Sequence, residues 1–95
     1  MNEGALQHLD IRVHGLVQGI GFRATSRARA AGLGLSGFVR NEPDGTVYIE
    51  VEGPEPALTD FCEWCRRGPP GAEVERVEAI PGTLRNLHGF NVRFH

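Results

Sequence analysis

The chain has 95 residues, 40% of them hydrophobic, with 10 basic and 12 acidic side chains and a formal charge of −2. That is the size of one compact domain with a core of its own, and the slight acidity opposes a nucleic-acid binder held by bulk charge. All ten basic residues are arginines, which excludes Schiff-base, pyridoxal and P-loop lysine chemistry.

No stretch approaches the ~18 continuous apolar residues of a membrane helix. Residues 1–7 carry neither a positive region nor an apolar signal core. Cys62 and Cys65 cannot build a disulfide framework, which fits a reducing compartment, so a cytoplasmic location is expected. With no repeat, low-complexity tract or linker, residues 1–95 read as a single domain.

Leu9, Ile11 and Val13 alternate with Asp10, Arg12 and His14, the signature of a half-buried strand. A glycine-punctuated loop follows, Gly15-Leu16-Val17-Gln18-Gly19-Ile20-Gly21. From Phe22 to about Leu33 the spacing becomes helical, and Ala24, Ala28 and Ala31 form a small-residue stripe suited to close packing on a sheet. Gly32 and Gly34 supply its stop. Leu35 to Asn41 is a second strand, and Glu42-Pro43-Asp44-Gly45 is turn chemistry. Val47, Ile49 and Val51 alternate with polar residues in a third. After Gly53-Pro54-Glu55-Pro56, a second helix runs roughly from Pro56 to Arg67, with Leu58, Phe61, Cys62 and Cys65 on its apolar stripe. Gly68-Pro69-Pro70-Gly71 ends it. Val74 to Ile80 is a fourth strand, and Phe90, Val92 and Phe94 mark a short last one.

The order β-α-β-β-α-β plus a terminal strand predicts an α+β, ferredoxin-like sandwich, with two helices on one face of an antiparallel sheet. Right-handed crossovers then make strands one and two parallel, with strand three between them. The loop after strand one and the end of strand two fall at one edge of the sheet, about 10 Å apart. Residues 15–23 should therefore face Asn41.

That loop suits an anion. Glycines accept positive φ, so successive amides can converge on one concavity, and the next helix adds unpaired amides and a positive dipole end. Arg23, in the helix's first turn, sits against that dipole, an arrangement relieved by an anion between them, although on loop composition alone a plain tight turn with Arg23 as a solvated surface charge is the favoured reading. The overlapping G-x-G-x-x-[GA] match at residues 19–24 is a weak dinucleotide fingerprint. A Rossmann sheet needs a longer chain, and the hairpin at residues 42–45 breaks its alternation.

Val13-His14-Gly15-Leu16-Val17-Gln18-Gly19-Ile20-Gly21-Phe22-Arg23 resembles the first signature of the acylphosphatases, V-x-G-x-V-Q-G-V-x-F-R, departing only at Ile20. Gly37-Phe38-Val39-Arg40-Asn41, with Gly45, Val47 and Gly53, resembles the second, G-[FYW]-[AVC]-x-N-x3-G-x-V-x5-G. The resemblance spans about Leu9 to Phe94. It implies hydrolysis of the carboxyl–phosphate bond of small acyl phosphates, releasing inorganic phosphate. It also implies phosphate binding by Arg23 and by the amides of Gly15, Leu16, Val17, Gln18, Gly19 and Ile20, with water placed by Asn41.

The chemistry is compatible with so sparse a site. Preorganised donors stabilise the equatorial charge of a loose phosphoryl-transfer transition state, and the leaving carboxylate needs no proton. Neither a cofactor nor a metal is expected.

Other features read as structure. Cys62-Glu63-Trp64-Cys65 lies on an apolar stripe and has no second pair, so packing is expected rather than metal or redox chemistry, with Trp64 as a partly exposed anchor. His8, His14, His88 and His95 show no ligand spacing, and His14 is expected on the solvent side. Gln18 is left open between substrate contact and loop capping. Glu50 and Glu52 are expected on a solvated face, with Glu73, Glu75 and Glu78 as surface charge. An RNA-binding sheet would want stacking aromatics in a basic surround, and Tyr48 is the only tyrosine. A monomer without nucleic-acid or membrane partners is expected.

Overall fold

The computed structural model describes residues 5–94. Seven elements follow one another: β1 (Leu6–Leu16), α1 (Phe22–Gly32), β2 (Ser36–Asn41), β3 (Val47–Pro54), α2 (Glu55–Arg67), β4 (Glu73–Gly82) and β5 (Phe90–Arg93). The strands form one sheet in the order β4-β1-β3-β2-β5. β3 pairs antiparallel with both β1 and β2, so β1 and β2 run parallel around it, as expected for the ferredoxin-like arrangement. β4 joins the free edge of β1 in antiparallel fashion.

The last strand corrects the expectation of an antiparallel sheet. β5 pairs parallel with β2, so the sheet is mixed. The direction follows from the path. β4 ends at the rim where β1 and β2 begin, residues 83–89 cross along that rim to the opposite edge, and β5 must then run the same way as β2. The far rim therefore collects the ends of β1, β2 and β5.

Alternation along the strands builds the core. Ile11, Val13, Val39, Val47, Ile49 and Val51 are completely buried beneath the helices. α2 inserts Leu58, Phe61, Cys62 and Cys65, as its stripe predicts. Both cysteines are free, and burial pushes their thiols up, which suits inert packing groups. Trp64 is more buried than expected, at 7% exposure, because its ring packs 5.3 Å from Phe22 and 6.0 Å from Phe61.

α1 differs more. Its buried face is Phe22, Ser26 and Ala30, whereas Ala24, Ala28 and Ala31 face outward. The large Phe22 ring sets the helix rotation. Ser26 tolerates burial because its hydroxyl donates to the Phe22 carbonyl at 2.7 Å.

Glu50 and Glu52 are also buried rather than solvated, at 7% and 3% exposure. Their face is closed by the 83–89 crossing. Glu52 accepts from the amides of Arg85 (2.6 Å) and Leu87 (2.9 Å) and from His8 Nδ1 (2.7 Å). Glu50 accepts from Tyr48 Oη at 2.8 Å and from the Arg85 guanidinium.

Candidate active site

The Asn41 end of the sheet carries a cavity of about 330 Å³ lined by Val17, Gly19, Gly21, Phe22, Arg23, Ala24, Asn41, Val92 and Phe94. A volume at the small end of ligand pockets (~300–1,000 Å³) suits a compact substrate. Arg23 and Asn41, 18 positions apart in sequence, meet here because β1 and β2 are parallel and their following segments share one rim.

The floor is the turn from β1 into α1. Gly19 and Gly21 have φ of +78° and +81°, the left-handed conformation that glycine adopts at no steric cost. Gly21 is the N-cap of α1 and offers no capping side chain, and the first turn holds no acidic residue. The first amides of α1 thus face the cavity without a side-chain acceptor. Thr25 closes the turn, its amide and hydroxyl both donating to the Gly21 carbonyl at 3.0 and 2.9 Å.

The predicted loop residues divide. Val17 and Gly19 line the cavity, and Val17 is anchored in the core at 1% exposure. Gly15 and Leu16 belong to β1, opposite Val74 and Glu73, just past a register irregularity at His14/Gly15. Gln18 and Ile20 flank the floor without lining it. Beyond the predicted set, Gly21, Val92 and Phe94 contribute walls. The alternation of Phe90, Val92 and Phe94 marks a short strand and carries no sign of a place in the cavity.

Gln18 turns out to be a brace. Its Nε2 donates to the carbonyls of Glu42 and Thr46, each at 2.9 Å. This ties the cradle to the hairpin immediately after Asn41. The hairpin is itself stiff: Asp44 Oδ1 accepts from the Thr46 amide (3.0 Å) and hydroxyl (2.6 Å), and these bonds hold its carboxyl below the usual range. Arg12 donates to Thr46 Oγ1 at 2.9 Å, and Arg40 Nε donates to Glu42 at 2.7 Å.

Among the described residues, no acidic side chain pairs with Arg23. Its guanidinium lies over the Phe94 ring, 4.9 Å from the centroid. His14 is turned away from the cavity and meets Glu78 at 2.6 Å, which agrees with a solvent-side position.

Among the described residues, the group best able to hold a metal ion is His8, Asp10 and Glu50, whose donor atoms lie within 4.8 Å of one another. It sits near the start of β1, about 20 Å along the strand from the cavity. Its donors are already engaged: His8 Nε2 meets Asp10 at 2.8 Å, and Glu50 accepts from Tyr48 and Arg85. The open-face rings are likewise covered. Arg93 lies 3.8 Å from the Phe38 centroid, and Arg12 and Arg40 lie 5.1 and 4.8 Å from that of Tyr48. Neither ring presents the bare stacking platform of an RNA-binding sheet.

The acylphosphatase family model matches residues 9–92. An acylphosphatase of Synechococcus sp. (strain CC9311) is 54% identical over 81 residues, 85% of this chain and 90% of that protein. The crystal structure of acylphosphatase from Bacillus subtilis superposes with a TM-score of 0.89 at 38% identity, covering 94% of this chain and 99% of that one. The structure of an acylphosphatase from Coxiella burnetii gives a TM-score of 0.91 at 30% identity, covering 98% and 100%.

Proposed function

The chain belongs to the acylphosphatase family and is a hydrolase acting on acyl phosphates; we propose that Arg23 and the turn amides hold the phosphoryl group while Asn41 places the attacking water. The observation that carries these roles is that Arg23 and Asn41 line the same cavity as the glycines of the turn.

The phosphoryl dianion rests against converging amides and the positive end of α1. The Arg23 guanidinium supplies a planar fork matching two phosphoryl oxygens. We assign the cradle to the amides of Gly15, Leu16, Val17, Gln18, Gly19 and Ile20, with Val17 and Gly19 nearest the cavity. In the transition state these donors face the charge that gathers on the equatorial oxygens, the largest electrostatic contribution open to the site.

Among the described residues, the Asn41 carboxamide has no hydrogen-bond partner of its own, so its oxygen and NH₂ are both available to a water molecule. An amide is no base at neutral pH; it orients rather than deprotonates. Water oxygen bonds to phosphorus as the bond to the acyl oxygen breaks, and the carboxylate leaves with the electron pair. The water proton passes late to a phosphoryl oxygen. With a stable carboxylate as leaving group, neither a general acid nor a metal clamp is required.

On this reading the protein acts as a monomer. The two free, buried cysteines support a cytoplasmic setting. No helix among the described residues is long and apolar enough to cross a membrane. Residues 1–95 act on this reading as one domain, with small acyl phosphates as substrates, inorganic phosphate as product, and neither cofactor nor nucleic acid.

Turnover of benzoyl phosphate in excess EDTA tests the reading, with an aryl phosphate ester as control. Undiminished hydrolysis of the anhydride and much slower hydrolysis of the ester are expected. Loss of activity in EDTA, or comparable ester turnover, would overturn the metal-free, leaving-group argument.

A further inference from the structure

Five large apolar side chains are exposed among the described residues, and Phe94, at 71%, is the most exposed of them. It alone of these five lines the active-site cavity, with Val92 beside it. The register explains its position. β2 and β5 run parallel with Val39 opposite Val92 and Arg40 opposite Arg93, so Phe94 follows the ladder to the level of Asn41. β5 ends at Arg93, which leaves Phe94 projecting past the sheet rim at the cavity mouth.

The Arg23 guanidinium carbon lies over the Phe94 ring, 4.9 Å from its centroid. Such a contact sets the cation against the face of the ring, and among the described residues no hydrogen bond engages the guanidinium's N–H donors. Arg23 can therefore hold phosphoryl oxygens and the ring together. One region of the cavity is then polar and gathers charge, while Phe94 and Val92 make an apolar wall next to it. A bound phosphoryl group leaves its acyl substituent at that wall, where an aryl group gains ring-on-ring contact and a methyl group gains almost nothing.

We propose that Phe94, supported by Val92, is the subsite for the acyl group and makes the enzyme selective for aromatic over short aliphatic acyl phosphates. This rests on the assignment of the phosphoryl group to Arg23 and the turn amides. Phe94 is a specificity-determining residue in this scheme and takes no part in bond making.

The test is kcat/KM for benzoyl phosphate and acetyl phosphate in wild type, Phe94→Ala, Phe94→Leu and Phe94→Trp. The benzoyl-to-acetyl ratio is expected to fall about five- to tenfold in Phe94→Ala, to fall less in Phe94→Leu, and to be preserved in Phe94→Trp. Thermal unfolding of the four proteins should nearly coincide, since the ring is mostly exposed. An unchanged ratio in Phe94→Ala, with both substrates slowed equally, would show that the ring merely braces Arg23 and would overturn the proposal. Failure of Phe94→Trp to preserve the ratio would do the same. Wild type turning over neither substrate would instead remove the phosphoryl assignment, and this inference with it.

Discussion

Replacing Gln18 by alanine separates the geometry of the cradle from its chemistry. The side chain donates two hydrogen bonds across the gap between the turn and the hairpin after Asn41. Both acceptors keep a second partner when it is lost: the Glu42 carbonyl still accepts from the Gly45 amide at 3.1 Å, and the Thr46 carbonyl from the Glu42 amide at 2.9 Å. No buried group is stranded, so the cost is the net value of two neutral bonds, about 1–2 kcal/mol in all. With a urea m-value of about 1–1.5 kcal/mol/M, the unfolding midpoint should fall by roughly 1 M. Val17 stays anchored, so the turn persists but loses its fixed distance to Asn41. Misplacement of order 1 Å between phosphoryl group and water can lower kcat by ~10–100-fold. Gln18→Glu is the decisive companion, because it keeps the shape, cannot donate, and points a carboxylate at two carbonyl oxygens. It should be at least as damaging as Gln18→Ala in both urea unfolding and benzoyl phosphate kinetics. A Gln18→Glu enzyme with wild-type midpoint and kcat would refute the bracing role.

Arg23→Ala should lose at least ~100-fold in kcat/KM for benzoyl phosphate, on the order of 3 kcal/mol of transition-state stabilisation, with weaker inhibition by inorganic phosphate. Asn41→Ala should lower kcat with a smaller change in KM, and wild-type turnover in that variant would show that water is placed by another group. Burial opposes the charged form of His8, but hydrogen bonds to Glu52 and Asp10 outweigh it and raise its pKa. Its contribution to stability is therefore complete below its ordinary 6.5 and is lost as pH rises through the raised folded value. Glu52 is opposed by burial too, yet the Arg85 and Leu87 amides and His8 lower its pKa, so its contribution is complete above 4.5 and is lost as pH falls through the lowered folded value. Urea midpoints should thus decline on the alkaline side in wild type and much less in His8→Asn; equal slopes would contradict the linkage. Glu52→Ala, which strips both amides of their acceptor, should destabilise by ~3 kcal/mol in the same assay.

Much of this molecule is written locally. Strict alternation located β1 and β3, the turn residues after Asn41 located the hairpin, and handedness alone placed Arg23 opposite Asn41. What stayed hidden depends on partners distant in sequence. His8 and Glu52 are 44 positions apart and meet only through the β1–β3 register, so a charged face that looked solvated is a closed network. In α1, alanines carry too little area to set the helix rotation, and Phe22 overrides their spacing. Gln18 has hairpin carbonyls as partners, which side-chain patterns do not announce. Phe94 keeps the period of Phe90 and Val92 but stands beyond the last ladder pair, so periodicity gave no sign of its exposed place at the cavity.

The crossing along residues 83–89 has a consequence for how the enzyme comes into being. It sends β5 to the edge opposite β4, so the working pocket joins the turn around Gly19 to a wall at Val92 and Phe94, more than 70 positions later. Val92 and Phe94 reach the cavity only when the closing strand docks on β2, where Val39 meets Val92 53 positions away, and pairing over so long a span is a slow kind of event.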